Sequence, residues 1–217
     1  MSYRLFGHPF SSYSWKALIA FEEKGLPFDY AMVEEPGVMD ELRSHWPLGK
    51  FPVLLDDGAP VIEATTIIEY LDLRHPGSAR LIPQDAAAAI EVRFMDRIFD
   101  NHVMSPVQAI VNEYIIDAAN PDNARTGKAE AALSVIYEWL ETRLGAHEWA
   151  CGDAFSLADC GAAPSLFYAD WVHQIPQGLP TLRAYRARLL ARPSVSRCIE
   201  AARPYRHYFP GGAPDRD

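Results

Sequence analysis

The chain has 217 residues, 49% of them apolar and 23% charged, with a net charge of −9 at pH 7. That length serves one large domain or two small ones with a substantial core. The negative charge is spread over both halves and Lys and Arg form no block, which argues against a nucleic-acid partner or an anionic membrane, and no run of about 18 apolar residues marks a membrane helix.

Met1 leads directly into a strand-like segment with no leader pattern, so a cytoplasmic location is expected. Cys151, Cys160 and Cys198 are odd in number and never in C-x-x-C spacing, so they read as reduced, buried fillers. The seven histidines are scattered without metal-ligand spacing, and no metal is expected.

Residues 3–6 read as a short strand. After a bend at Gly7, His8 and Pro9, residues 11–25 read as a helix whose broad apolar face carries Trp15, Leu18, Ile19 and Phe21, with Gly25 suited to the left-handed position at its end. A hydroxyl at this strand-to-helix junction lies where unpaired N–H groups and the positive helix end favour an oxygen or sulfur anion. The other reading of Ser11, Ser12 or Ser14 is a simple helix cap.

Residues 28–33 alternate as a strand, parallel to the first through the helical crossover. Residues 34–46 suggest a short irregular helix, and residues 51–55 and 59–62 a hairpin turning at Asp56, Asp57 and Gly58. Pro52 stands at the head of a strand, either as an ordinary trans proline or in a cis bond that turns the Phe51 N–H and C=O outward to a ligand. Glu63 opens a further helix whose N-terminus is a second anion site. The order strand, helix, strand, helix, strand, strand, helix is the thioredoxin-like arrangement.

Residues 75–83 are rich in helix breakers and read as a linker. Residues 86–116 form one long helical pattern expected to bend around Ser105 and Pro106, and residues 125–144 its antiparallel companion. Ser156 with Asp159 three residues later caps a helix that is hydrophobic nearly all round and expected at the centre of a bundle. Residues 182–191 and 195–202 close the bundle, and residues 207–217 read as an extended or mobile tail. The expected division is α/β followed by all-α: a thioredoxin-like domain over 1–76, a linker over 77–85 and an all-helical domain over 86–217.

Three separated signatures together resemble the soluble glutathione S-transferases. They are the hydroxyl ahead of the first helix, the G-K-F-P segment of Gly49 to Pro52 with an acidic residue opening the third helix, and the G-D-A-F-S-L-A-D run ending at Asp159. Ser11-Ser12-Tyr13-Ser14-Trp15 is similar to the S-S-C-S-W run of the zeta class, apart from Tyr13. The resemblance implies glutathione as co-substrate and Ser11 as the catalytic hydroxyl, with Ser12 and Tyr13 as alternative donors. Phe51, ahead of Pro52, pairs with the cysteinyl unit, Glu63 takes the γ-glutamyl ammonium, and His45 or Lys50 meets the glycyl carboxylate. Asp159 is implied to be structural.

Where most of the family has serine after that glutamate, this chain has Ala64, which implies weaker binding of the γ-glutamyl carboxylate unless Thr65 or Thr66 substitutes. The electrophile pocket is expected between the loop 7–10 and the long helix around His102, Pro106, Ile110 and Tyr114, and to take small hydrophobic electrophiles. The resemblance also implies a homodimer and a role in detoxification. Two further readings are a zeta-type isomerase of maleylacetoacetate and a noncatalytic interaction protein.

Overall fold

A computed structural model describes residues 2–145 and 147–217. Strand β1 (Tyr3–Gly7) pairs in parallel with β2 (Asp29–Met32) and antiparallel with β3 (Val53–Asp56), which pairs antiparallel with β4 (Ala59–Ile62). The sheet order is β2-β1-β3-β4. Asp57 and Gly58 both have positive φ, at 47° and 88°, as a two-residue hairpin turn with right-handed strand twist demands.

Because successive strand residues face opposite sides, the sheet is buried twice. Leu5 and Leu54 pack with Ala17 and Phe21 of α1 (Ser12–Lys24) and Ile67 and Leu71 of α3 (Ala64–Arg74). Phe6, Val53 and Leu55 pack on the other side with Val38 and Leu42 of α2 (Val38–His45). Helix α1 is buried on two sides because it has a second neighbour. Its Trp15, Ile19 and Ala20 enter the core of the helical half.

That half contains α4 (Ala86–Ile98), a π-helical turn (Phe99–Met104), α5 (Ser105–Ile116), α6 (Asn123–Leu144), α7 (Leu157–Val172), α8 (Pro180–Ala191) and α9 (Pro193–Ala202). Helix α7 is buried from Leu157 to Trp171 and occupies the centre, as its composition implies. Its capping acid, Asp159, is fully buried. It accepts hydrogen bonds from Ser156 N (2.8 Å), Ala150 N (2.9 Å) and the Tyr185 hydroxyl (2.6 Å), which makes it a structural tie between loop and bundle. Residues 75–85 are pinned rather than loose: Lys24 Nζ pairs with Asp72 at 2.6 Å and donates to Ala79 O at 2.9 Å, and Asp72 accepts from Leu81 N and Ile82 N.

Two expectations are corrected. The distortion of the long helix falls at residues 99–104, just ahead of the expected Ser105 and Pro106. The π-helical turn opens the ladder at residues 99–104, and Pro106 then sits near the start of α5, where its missing N–H costs least. The tail is packed rather than mobile. After a 3₁₀ turn (Arg203–Tyr208), Phe209 is buried against Tyr168 and Trp171, with ring centroids at 6.1 and 5.0 Å, and Arg216 donates to Asp170 O at 2.6 Å. Cys160 and Cys198 are buried and Cys151 half-buried, all three as free thiols.

Candidate active site

The loop between β1 and α1 is held from several directions. The Ser14 hydroxyl accepts His8 N–H at 3.2 Å, and a Cβ at Gly7 would stand 2.8 Å from that same hydroxyl. Trp15 Nε1 donates to Pro9 O at 2.5 Å and the Tyr168 hydroxyl to Phe10 O at 2.8 Å. Ser11 then serves as the N-cap of α1 with extended backbone, its Oγ accepting Ser14 N–H at 3.3 Å. Capping uses the oxygen's lone pair and leaves the O–H free to donate. Among the described residues Ser11 Oγ donates to none, so the cap and the anion-donor readings are compatible.

Two cavities meet at this junction. The first, of about 300 Å³, is the more polar of the two and holds Lys50, Phe51, Pro52, Glu63, Ala64 and Arg97, with Tyr13, Trp46, Ile62, Asp100 and Asn101 completing it. The second, also about 300 Å³, is mostly apolar. Phe10, Ser11, Ser12, Val107, Val111 and Tyr168 form much of its wall, and Tyr208, Phe209 and Pro210 of the tail close it. Tyr13 and Phe51 line both. Burial, and then the neighbouring Asp100 carboxylate, pushes the Tyr13 phenol upward, so it stays protonated at neutral pH and is a donor.

Two backbone features shape the polar cleft. The Phe51–Pro52 peptide is cis, and Glu63 holds φ at 74° immediately before α3, so the chain turns sharply into the first N–H groups of that helix. A non-glycine residue in that region is strained and persists only where its surroundings impose it.

Most of the residues nominated from the sequence therefore converge: Tyr13, Lys50, Phe51, Pro52, Glu63 and Ala64 in the polar cleft, Ser11 and Ser12 in the apolar one. His45 is the exception. It ends α2 with its ring 6.3 Å from that of Phe6 and is not part of the cleft lining.

The expected face of the long helix is also displaced. Val107, Val111 and Ile115 line the apolar cavity, whereas Ile110 is in the core and His102 and Pro106 line a separate groove between α5 and α6. The cavity face of α5 therefore falls one position after the expected one.

Sequence reading missed Arg97 and Asp100, which belong to a partly buried charge network at the polar cleft. Lys16 Nζ, almost wholly buried, lies 2.5 Å from Asp96 Oδ1 and 2.8 Å from Asp100 Oδ2, and Arg97 Nη2 lies 2.5 and 2.7 Å from Asp96 and Asp100. Two cations face two carboxylates, so the network is neutral. The only sequence hint was the improbable Lys16 on the apolar side of α1. Among the described residues no group of three or more potential metal ligands gathers.

Comparison with known proteins agrees with this geometry. Residues 5–79 match the glutathione S-transferase N-terminal domain and residues 122–188 the glutathione S-transferase C-terminal domain. A glutathione S-transferase of Arabidopsis thaliana is 25% identical over 206 residues, covering 89% of this chain and 93% of that one. A probable maleylacetoacetate isomerase of Drosophila melanogaster is 27% identical over 213 residues, covering 94% and 86%. The crystal structure of a glutathione S-transferase from Methylobacillus flagellatus with glutathione bound superposes with a TM-score of 0.80 at 30% identity, covering 91% of this chain and 98% of that one. A hydroxyl-capped first helix beside a cleft built on Phe51, Pro52 and Glu63, in a two-domain fold matched along its length, places this chain in the glutathione S-transferase family.

Proposed function

We propose that this protein is a serine-type glutathione transferase that ionises the glutathione thiol and directs it at a small hydrophobic electrophile. The observation that carries the reading is the position of Ser11, whose free O–H stands at the N-terminus of α1 in an apolar cavity joined through Tyr13 and Phe51 to a polar cleft. The cleft suits a zwitterionic peptide: Glu63 and Asp100 offer acceptors for an ammonium, and Lys50 and Arg97 are cations for its carboxylates.

A free thiol near pKa ~8.5 is mostly protonated at neutral pH, and the thiolate is the nucleophile. Ser11 donates a hydrogen bond to the sulfur beside the positive helix end, which favours the charged form. The proton leaves to solvent, and the sulfur lone pair forms the new S–C bond as a leaving group departs or as electrons move onto a conjugated oxygen. Phe51 N–H and C=O hold the cysteinyl unit, Glu63 the γ-glutamyl ammonium and Lys50 the glycyl carboxylate. Ser12, whose side chain is buried, and Tyr13 complete the sulfur pocket.

The apolar second cavity supports the electrophile's hydrophobic character. A homodimer is supported by apolar side chains left on the surface of the helical half, Ile90, Phe94 and Trp139 among them. We place the domain boundary within the pinned residues 77–85, and read the protein as cytoplasmic and its role as detoxification. No helix among the described residues is long and apolar enough to cross a membrane. The isomerase reading shares the same first step and is favoured by the S-S-x-S-W run.

Titration calorimetry with millimolar glutathione, followed by an assay against aryl halides, epoxides and maleylacetoacetate, tests this. Binding together with turnover of one of these supports the reading, and absence of any binding heat rejects it.

A further inference from the structure

The glutathione reading leaves one group without an evident side-chain partner, the α-carboxylate of the γ-glutamyl unit, because Ala64 has no hydroxyl. Thr66 is exposed and does not line the cleft, and Thr65, the other substitute, is fully engaged. Its Oγ1 donates to Asp96 Oδ2 at 2.9 Å and accepts from Lys16 Nζ at 2.8 Å and Arg97 Nη2 at 2.5 Å. One donor and two lone pairs exhaust a hydroxyl.

Arg97 is differently placed. It reaches from α4 into the same cleft as Glu63 and Ala64, and its side chain is 49% exposed. Its hydrogen bonds to described residues all run through Nη2, to Thr65, Asp96 and Asp100. These contacts fix the guanidinium while Nε and Nη1 keep their N–H groups for another acceptor, and a planar guanidinium suits a carboxylate better than a lysine ammonium does. Arg97 and Lys16 together balance Asp96 and Asp100, so the network carries no net charge once Arg97 is counted in it.

We infer that Arg97 is the carboxylate anchor of this cleft, replacing the hydroxyl that Ala64 lacks, so that the site selects thiols bearing an intact α-amino-acid head. The inference rests on the glutathione reading. Arg97 contacts the ligand, while Lys16, Asp96 and Thr65 are positioning residues that hold its plane.

The test is calorimetry on the full chain with glutathione and with γ-aminobutyryl-cysteinyl-glycine, which is glutathione without the α-carboxylate. The wild type is expected to prefer glutathione by about tenfold or more, the loss usual for a hydrogen bond to a charged group. Arg97→Gln should weaken glutathione by a similar factor and leave the analogue within about twofold. Arg97→Lys, which keeps the network's charge, should narrow the preference without unfolding the protein and decides the matter if melting shows Arg97→Gln to be unfolded. Equal weakening of both peptides, or an unchanged preference in the folded variant, overturns the role of Arg97 while leaving the glutathione reading intact. A wild type that binds neither peptide defeats the glutathione reading itself, and this inference with it.

Discussion

The Thr65 hydroxyl donates to Asp96 across 2.9 Å and is thereby committed to the charge network rather than to a ligand. Position 64 is therefore where a hydroxyl can be restored. Ala64→Ser should tighten glutathione by about tenfold, since a hydrogen bond to a charged group contributes roughly 1.5–3 kcal/mol. Comparing dissociation constants by calorimetry checks this, and an unchanged constant counts against a ligand carboxylate at the start of α3.

On the proposed reading Ser11 is both helix cap and hydrogen-bond donor to the sulfur, and two substitutions separate these roles. Ser11→Gly keeps the helix start within a few tenths of a kcal/mol, whereas Ser11→Ala costs about 1 kcal/mol of stability. Both should raise the thiol pKa of bound glutathione by about one to two units, because both delete the donor. An ultraviolet titration of thiolate absorbance in the two complexes reads this directly. A pKa that stays put in Ser11→Gly transfers the donor role to Ser12 or Tyr13.

Lys16 should be unforgiving. Replacing it with methionine leaves Asp96 and Asp100 buried with only Arg97 to face them, and loss of one partner from a buried pair costs about 3–5 kcal/mol. Denaturant unfolding of Lys16→Met should show this as a lower midpoint at an unchanged slope.

Glu23 links α1 to α9. Burial pulls its pKa upward, but hydrogen bonds from Arg192 (2.7 Å) and Ser194 outweigh it and hold the carboxyl below its ordinary value. A depressed folded-state pKa contributes stability above the unfolded value, lost as pH falls through the folded one. Glu23→Gln should thus be destabilised by about 2 kcal/mol at pH ~7, with its deficit shrinking as pH drops below about 4.5. Melting temperatures of the two proteins across that range check the convergence.

Phe209 closes the apolar cavity with Tyr208 and Pro210. Phe209→Ala should raise KM for aromatic electrophiles about tenfold, the size of one lost aromatic contact, with a smaller effect on kcat. The thiolate pKa of bound glutathione serves as the control and should not move.

Much of this was legible in the residues themselves. Alternating strand residues, the Asp57-Gly58 turn, Gly25 at the end of α1 and the Ser156–Asp159 box all act within a few positions of one another, so local pattern carries them. The π-helical turn left no such trace, and the cavity face of α5 lies one residue after the expected one. Arg97 and Asp100 escaped because they reach the cleft from more than thirty residues beyond Glu63, through a network whose logic exists only after the two domains pack. The tail's aromatic contacts with Tyr168 and Trp171 were hidden for the same reason.

The crowding at Gly7 sets a rule for altering substrate preference. A methyl group there displaces the Ser14 hydroxyl, which holds His8 N–H and with it the segment leading to Ser11. Mutagenesis libraries seeking new electrophiles should accordingly leave residue 7 untouched and diversify positions 111 and 115, which line the apolar cavity from α5.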